Sequence, residues 1–168
     1  MTPKLRPFRF SDVDDLVHHA DNEKVAQFLT DQFPNPYTNE DAIKFIQFAN
    51  QSTPLGIFAI TYKDKVIGGI GLHPQRDIMR KNMELGYWIG EEYWNKGILT
   101  RLVPAIVEYG FKTFDIERIF ARPFGNNPAS AKVLEKAGFK LEARFKKTVF
   151  KKGEMLDELV YGIRRTDL

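Results

Sequence analysis

Apolar positions along the chain switch between a period of two and a period near 3.6, and the switches mark out its elements. Residues 5–10 alternate as a strand does. Ser11 then offers a helix N-cap with Asp14 three residues on, and Val13, Leu16, Val17 and Ala20 share one helical face. The segment 28–37 carries two prolines and reads as a loop. Thr38 and Asp41 repeat the capping pattern ahead of a second helical stripe, Ala42, Ile43, Ile46 and Ala49. Period two returns over residues 55–62 and 65–72, joined by the charged turn Lys63-Asp64, and again over residues 82–90.

From Gly97 the pattern is helical once more, with Leu99, Leu102, Val103, Ile106 and Gly110 on one face. Pro104 predicts a bend or a late start. Residues 118–124 read as a strand. Asn127 caps a helix that has Pro128 at its first position, and Gly138 ends it. Residues 139–150 and 154–163 form a closing antiparallel pair. The order β-α-α-β-β-β-α-β-α-β-β predicts an α+β fold, a mixed and mostly antiparallel sheet flanked by helices. No linker or repeat interrupts it, so residues 1–168 read as a single domain.

Composition removes several chemistries. The chain has no cysteine, which excludes disulfides and thiolate nucleophiles. Its three histidines, His18, His19 and His73, form no spaced ligand set, so no metal is expected. The first residues lack a signal-peptide pattern and no apolar run approaches a membrane span, which predicts a cytoplasmic protein with no membrane partner. Net charge is +3. Basic residues thicken over residues 144–152, RFKKTVFKK, where they alternate with Phe and Val. That cluster is either a phosphate or nucleic-acid patch or a strand with one solvated face. The second reading accounts for the charge without a nucleic-acid partner.

The chemically informative stretch is residues 84–101, ELGYWIGEEYWNKGILTR. A strand runs into a short loop and then a helix near Gly97. A helix start presents unpaired N–H groups and partial positive charge, to which Lys96 adds, so a phosphate suits it. Most such turns bind nothing, and the pattern alone does not decide.

EYWNKGILT, residues 92–100, resembles the coenzyme A loop of the GNAT acetyltransferases, in particular the RimJ/RimL-like branch. Trp94, Gly97 and Leu99 stand at that loop's signature positions, with Asn95 where glycine is frequent and Leu99 large for its slot. ARPFGNNPASAKVLEKAGFKLEA, residues 121–143, is similar to the family's strand-to-helix signature at Asn127, Ser130, Lys136, Gly138 and Phe139. LRPFRFSDVDDL, residues 5–16, resembles its first strand and helix.

The resemblance implies an acetyl-coenzyme A-dependent N-acetyltransferase with the thioester as co-substrate. It implies that Tyr87, Trp88 and Ile89 border the pantetheine arm, on a bulged fourth strand. Asn95, Lys96, Gly97, Ile98, Leu99 and Thr100 would receive the pyrophosphate, and a backbone N–H near Trp88 or Ile89 the thioester carbonyl. Glu84 is the candidate base, acting through water, or else a surface partner of Arg80 or Lys81. Leu134 replaces a tyrosine acid found in many members. Ser130 is the candidate acid, or a first-turn residue bonding its own helix. Asn127 caps its helix and faces the pantetheine arm. Phe33, Tyr37 and His73 would wall the acceptor site. Gly68, Gly69 and Gly71 lack the rest of a nucleotide fingerprint and read as sheet positions packed closely by a helix.

The acceptor expected is a protein or peptide N-terminal α-amino group, with a polyamine or aminoglycoside as the alternative. A non-catalytic acyl-coenzyme A-binding module is the competing class. Monomer and homodimer both remain open.

Overall fold

The computed structural model describes residues 2–168. Its strands are β1 (Lys4–Arg6), β2 (Ile57–Tyr62), β3 (Lys65–Pro74), β4 (Asn82–Ile89), β5 (Arg118–Ala121), β6 (Lys140–Lys151) and β7 (Glu154–Arg164). The helices are α1 (Val13–Ala20), α2 (Glu23–Ala26), α3 (Asn39–Ala49), α4 (Ile98–Thr113) and α5 (Pro128–Lys136). The strands form one sheet in the order β1-β2-β3-β4-β5-β7-β6. Pairing is parallel between β4 and β5, and antiparallel for β1–β2, β2–β3, β5–β7 and β6–β7. The expected mixed, mostly antiparallel α+β sheet is present. No helix among the described residues is long and apolar enough to cross a membrane.

The chain forms two compact units that interleave in sequence. The first comprises the chain up to Gly71 together with Tyr87–Ile98; the second comprises Leu72–Gly86 and Leu99–Leu168.

In the first unit, Leu16, Ala20, Ala42, Ile46 and Ala49 bury the apolar stripes of α1 and α3 with Phe8, Ile57, Ala59 and Val66. Phe8 meets Phe45 edge to face at 5.1 Å. Thr38 and Asp41 make the expected capping box. Ser11 does not cap α1; a 3-10 turn over Phe10–Asp12 precedes the helix, and Asp12 holds the N-cap position. Its carboxylate is spent elsewhere, accepting from Arg6 at 2.7 and 2.8 Å and from the Arg9 N–H at 2.8 Å. That triple engagement fixes the entry into α1. Gly68 and Gly71 are sheet positions, as expected, yet the close neighbours are strands and not a helix. A Cβ at Gly68 would collide with the Trp88 carbonyl of β4.

In the second unit, α4 opens at Ile98 and continues through Pro104, so the late start does not occur. Pro104 lies on the exposed face, where water can reach the Thr100 carbonyl left without its helical donor. The opposite face buries Leu102, Val103, Ile106 and Val107. Arg165 gathers the carbonyls at the far end of α4, donating to those of Phe111 at 2.8 Å, Phe114 at 3.2 Å and Ile116 at 2.7 Å. Asn127 caps α5, accepting from the Ser130 N–H at 3.3 Å. At the other end, Phe139 N–H to Leu134 C=O and Gly138 N–H to Glu135 C=O form a Schellman turn. β5 is shorter than expected, with Phe124 making only an isolated bridge to Glu158. The strand β6 exists, but the expected buried face does not. Register shifts interrupt it, and Phe145 and Phe150 are exposed along with its basic residues.

Asp12 is the sharpest stability test. Burial pushes its pKa up, but the bonds from Arg6 and Arg9 outweigh that and hold it below the ordinary 3.8. Its stabilisation is therefore present above that value and lost as pH falls through the folded pKa. Urea unfolding of Asp12→Asn at neutral pH is expected to show a loss of about 2–3 kcal/mol. The gap from the parent protein should close in acid; a gap that persists unchanged refutes the assignment.

Candidate active site

The candidate cofactor loop is built from the end of β4 and the residues that follow. Parallel pairing with β5 covers only Asn82↔Arg118, Met83↔Ile119 and Glu84↔Phe120. Further along β4, the Gly90 N–H donates to the Ile67 carbonyl of β3 at 2.8 Å. Successive residues of a strand direct their N–H groups to opposite edges. The N–H of Ile89 is therefore aimed at the edge away from β3, as is its carbonyl, which accepts from Trp94 Nε1 at 2.9 Å. Of Trp88 and Ile89, Ile89 is therefore the one whose N–H faces away from β3. The Trp88 ring is half-buried beside the first unit's core, edge to face with Phe33 at 5.5 Å.

A 3-10 turn, Glu91–Tyr93, then leads into two left-handed residues, Asn95 (φ 59°) and Gly97 (φ 71°). Asparagine tolerates that conformation better than most residues, which accounts for Asn95 where glycine is frequent. No atom lies within 4 Å of where a Gly97 Cβ would stand, so the backbone is open to an anion. The helix α4 begins one residue later, at Ile98, and the first-turn N–H groups of Ile98, Leu99 and Thr100 have no acceptor inside the helix. Lys96 lies over the Tyr93 ring at 5.5 Å. Open backbone, orphan donors and a lysine fit the pyrophosphate of coenzyme A.

The candidate acid and base residues lie in the second unit. Glu84 of β4 pairs with Arg122, at 2.5 Å to Nε and 3.3 Å to Nη2, and not with Arg80 or Lys81. Arg80 instead donates to the Asp77 carbonyl, and Lys81 pairs with Asp115. Parallel register explains the choice. Arg122 stands two residues beyond Phe120, the register partner of Glu84, and so shares its face. The pair raises the Arg122 pKa. It also occupies the lone pairs that a general base would use. His73, at the end of β3, lies over Gly86, with Nε2 3.6 Å from where a Cβ there would stand. Burial lowers the His73 pKa from its ordinary 6.5, against an opposing pull from the Glu84 charge. The ring is therefore neutral near pH 7, with a lone pair to offer.

Ser130 sits half-buried in the first turn of α5, its N–H on the Asn127 side chain. Leu134, where the resemblance implies a tyrosine in many family members, is fully buried. Tyr37 lies in the first unit's core with its ring 5.2 Å from Phe33, which leaves Phe33 the more open of the two. The sequence gives no sign of the Arg122 partnership except through the β4–β5 register. It also misses Glu92, which the fold brings to 3.2 Å from His18 Nε2.

Residues 4–140 match the Acetyltransferase (GNAT) domain family. The chain is 29% identical over 161 residues to an uncharacterized N-acetyltransferase, YnaD, of Bacillus subtilis, covering 95% of this chain and 91% of that protein. It is 27% identical over 116 residues to the ribosomal-protein-serine acetyltransferase of Escherichia coli, covering 67% of this chain and 64% of that one. Among solved structures it resembles RimL, a ribosomal L7/L12 alpha-N-protein acetyltransferase in complex with coenzyme A. The TM-score is 0.85 at 21% identity, covering 98% of this chain and 94% of that one. The family match spans most of the chain and agrees with the loop geometry, so this protein belongs to the GNAT family and is an acetyl-coenzyme A-dependent N-acetyltransferase.

Proposed function

We propose that the acceptor is the α-amino group at a protein or peptide N-terminus, and that His73 takes its proton. The observation that carries this reading is the neutral, half-buried imidazole of His73 beside a carboxylate ion-paired with Arg122. An α-amino group titrates near 8 and a lysine-type amine near 10.4, so the former gives up its proton more readily to an imidazole that is neutral at pH 7. A polyamine or aminoglycoside calls for unpaired carboxylates, and Glu84 is not one. The names of the Escherichia coli relative and of RimL are consistent with the same acceptor class.

Acetyl-coenzyme A supplies an activated thioester carbonyl. In this reading Asn95, Lys96, Gly97, Ile98, Leu99 and Thr100 hold its pyrophosphate, while Tyr87 and Trp88 border the pantetheine arm. The Ile89 N–H donates to the acyl oxygen, an electrostatic contribution that grows as charge develops there. His73 accepts the amine proton, and Glu84, anchored by Arg122, stabilises the resulting imidazolium as a positioning residue. Ser130 donates a proton to the departing sulfur, Asn127 fixes the turn that carries it, and Phe33 flanks the acceptor.

Three measurements test the reading. Acetylation of a panel of short peptides should exceed that of spermidine and aminoglycosides and should vanish when the peptide N-terminus is blocked. Preference for the polycations overturns the acceptor assignment. For His73→Gln, kcat should fall about 10²–10⁴-fold. In the parent enzyme, kcat should decline as pH drops below the His73 pKa, which lies under 6.5, because the base becomes protonated. That acid limb should disappear in the variant, and a limb that survives assigns the proton to another group. Gly97→Val forces a branched side chain into the left-handed region without any steric neighbour, and calorimetry should show acetyl-coenzyme A binding weakened about tenfold. Unchanged affinity removes the pyrophosphate from this loop.

A further inference from the structure

An open cavity of about 520 Å³ in the first unit is lined by His18, His19, Asn22, Glu91 and Glu92, none of which the acetyl transfer uses. Ligand atoms of His18, His19 and Glu92 all lie within 4.8 Å of one another. His18 Nε2 and Glu92 Oε1 are already 3.2 Å apart. Two donors bound tetrahedrally at about 2 Å from a zinc ion stand about 3.3 Å apart, so this pair has the spacing a metal requires.

The third donor is held in place. His19 packs against the backbone of Gly90 so closely that a Cβ there would collide with its Nδ1. The edge of the ring also meets Tyr93 at 5.5 Å and His18 at 4.7 Å. The His19 ring makes no hydrogen bond among the described residues, although the residue is only 8% exposed. No fully enclosed polar side-chain atom among those residues lacks a partner, so its ring nitrogens must open to solvent. The neighbouring carboxylate, Glu91, is already committed to Asn22 at 2.9 Å and Lys24 at 2.8 Å. That leaves Glu92 as the side chain able to turn toward the histidines.

We propose that His18, His19 and Glu92 form a binding site for a divalent transition metal ion of the zinc class. Two imidazoles and a carboxylate suit such an ion, and the cavity leaves its fourth position to water. Bound there, the ion ties α1 to the turn Glu91–Tyr93, two residues ahead of the Asn95 backbone.

The test is calorimetric titration of untagged, chelator-treated protein with Zn²⁺, repeated for His18→Ala and Glu92→Ala. Both side chains are about two-thirds exposed, 68% and 65%, so neither variant should unfold, which circular dichroism would verify. One saturable ion per chain is expected, with affinity reduced at least about tenfold in each variant. Co²⁺ should give the intense visible bands of tetrahedral coordination in the parent protein and lose them in both variants. Absence of saturable binding at millimolar Zn²⁺ overturns the proposal. So does parental affinity in either variant, which would place the ion elsewhere.

Discussion

Three residue pairs join β4 to β5 in parallel, and the ladder ends at Glu84. The edge of a strand is a row of donors and acceptors that must be satisfied by something. Had the pairing continued, the N–H of Ile89 would be consumed by sheet hydrogen bonds and β4 would be purely structural. On its other edge β4 lies against β3 without a Cβ intervening at Gly68. One edge is thus pressed into the sheet while the other is released after a few residues, and the loop that follows inherits its direction from that release.

The electrostatics on β4 and β5 follow from the same register. Parallel alignment places Arg122 on the face of Glu84, and the guanidinium keeps that carboxylate occupied. At His73 burial prevails over the opposing pull of the Glu84 charge, and the ring stays neutral near pH 7.

Much of this fold was legible in the sequence. Period-two and helical stripes locate every strand and the longer helices, and the capping pairs at Thr38 and Asn127 perform as their side chains suggest. Illegible features share one cause, which is that they depend on partners distant in the chain. Ser11 looks like a cap until Arg6 and Arg9 draw the carboxylate of Asp12 into place and shift the helix start. The four-residue α2 is too short for a periodic signal. Alternation in β6 predicts a buried face, yet the strand lies at the end of the strand order and its aromatics remain exposed. The left-handed turn into α4 is marked in the sequence by Gly97, whose φ of 71° only glycine adopts freely. The bond from Arg122 to Glu84 spans 38 residues and leaves no local trace.

Arg165 carries a kinetic implication. The carbonyls of Phe111, Phe114 and Ile116 mark the crossover from α4 to β5, and the guanidinium that collects them lies 49 to 54 residues further on. During synthesis those carbonyls emerge long before their donor and must be hydrated in the interim. The crossover gains its clasp only after residue 165 has been made, so that contact forms later than the helix it closes. A nascent chain that stops short of Arg165 lacks this clasp, and the carbonyls at the end of α4 stay with water, open to chaperones and proteases, until β7 and the turn after it are made.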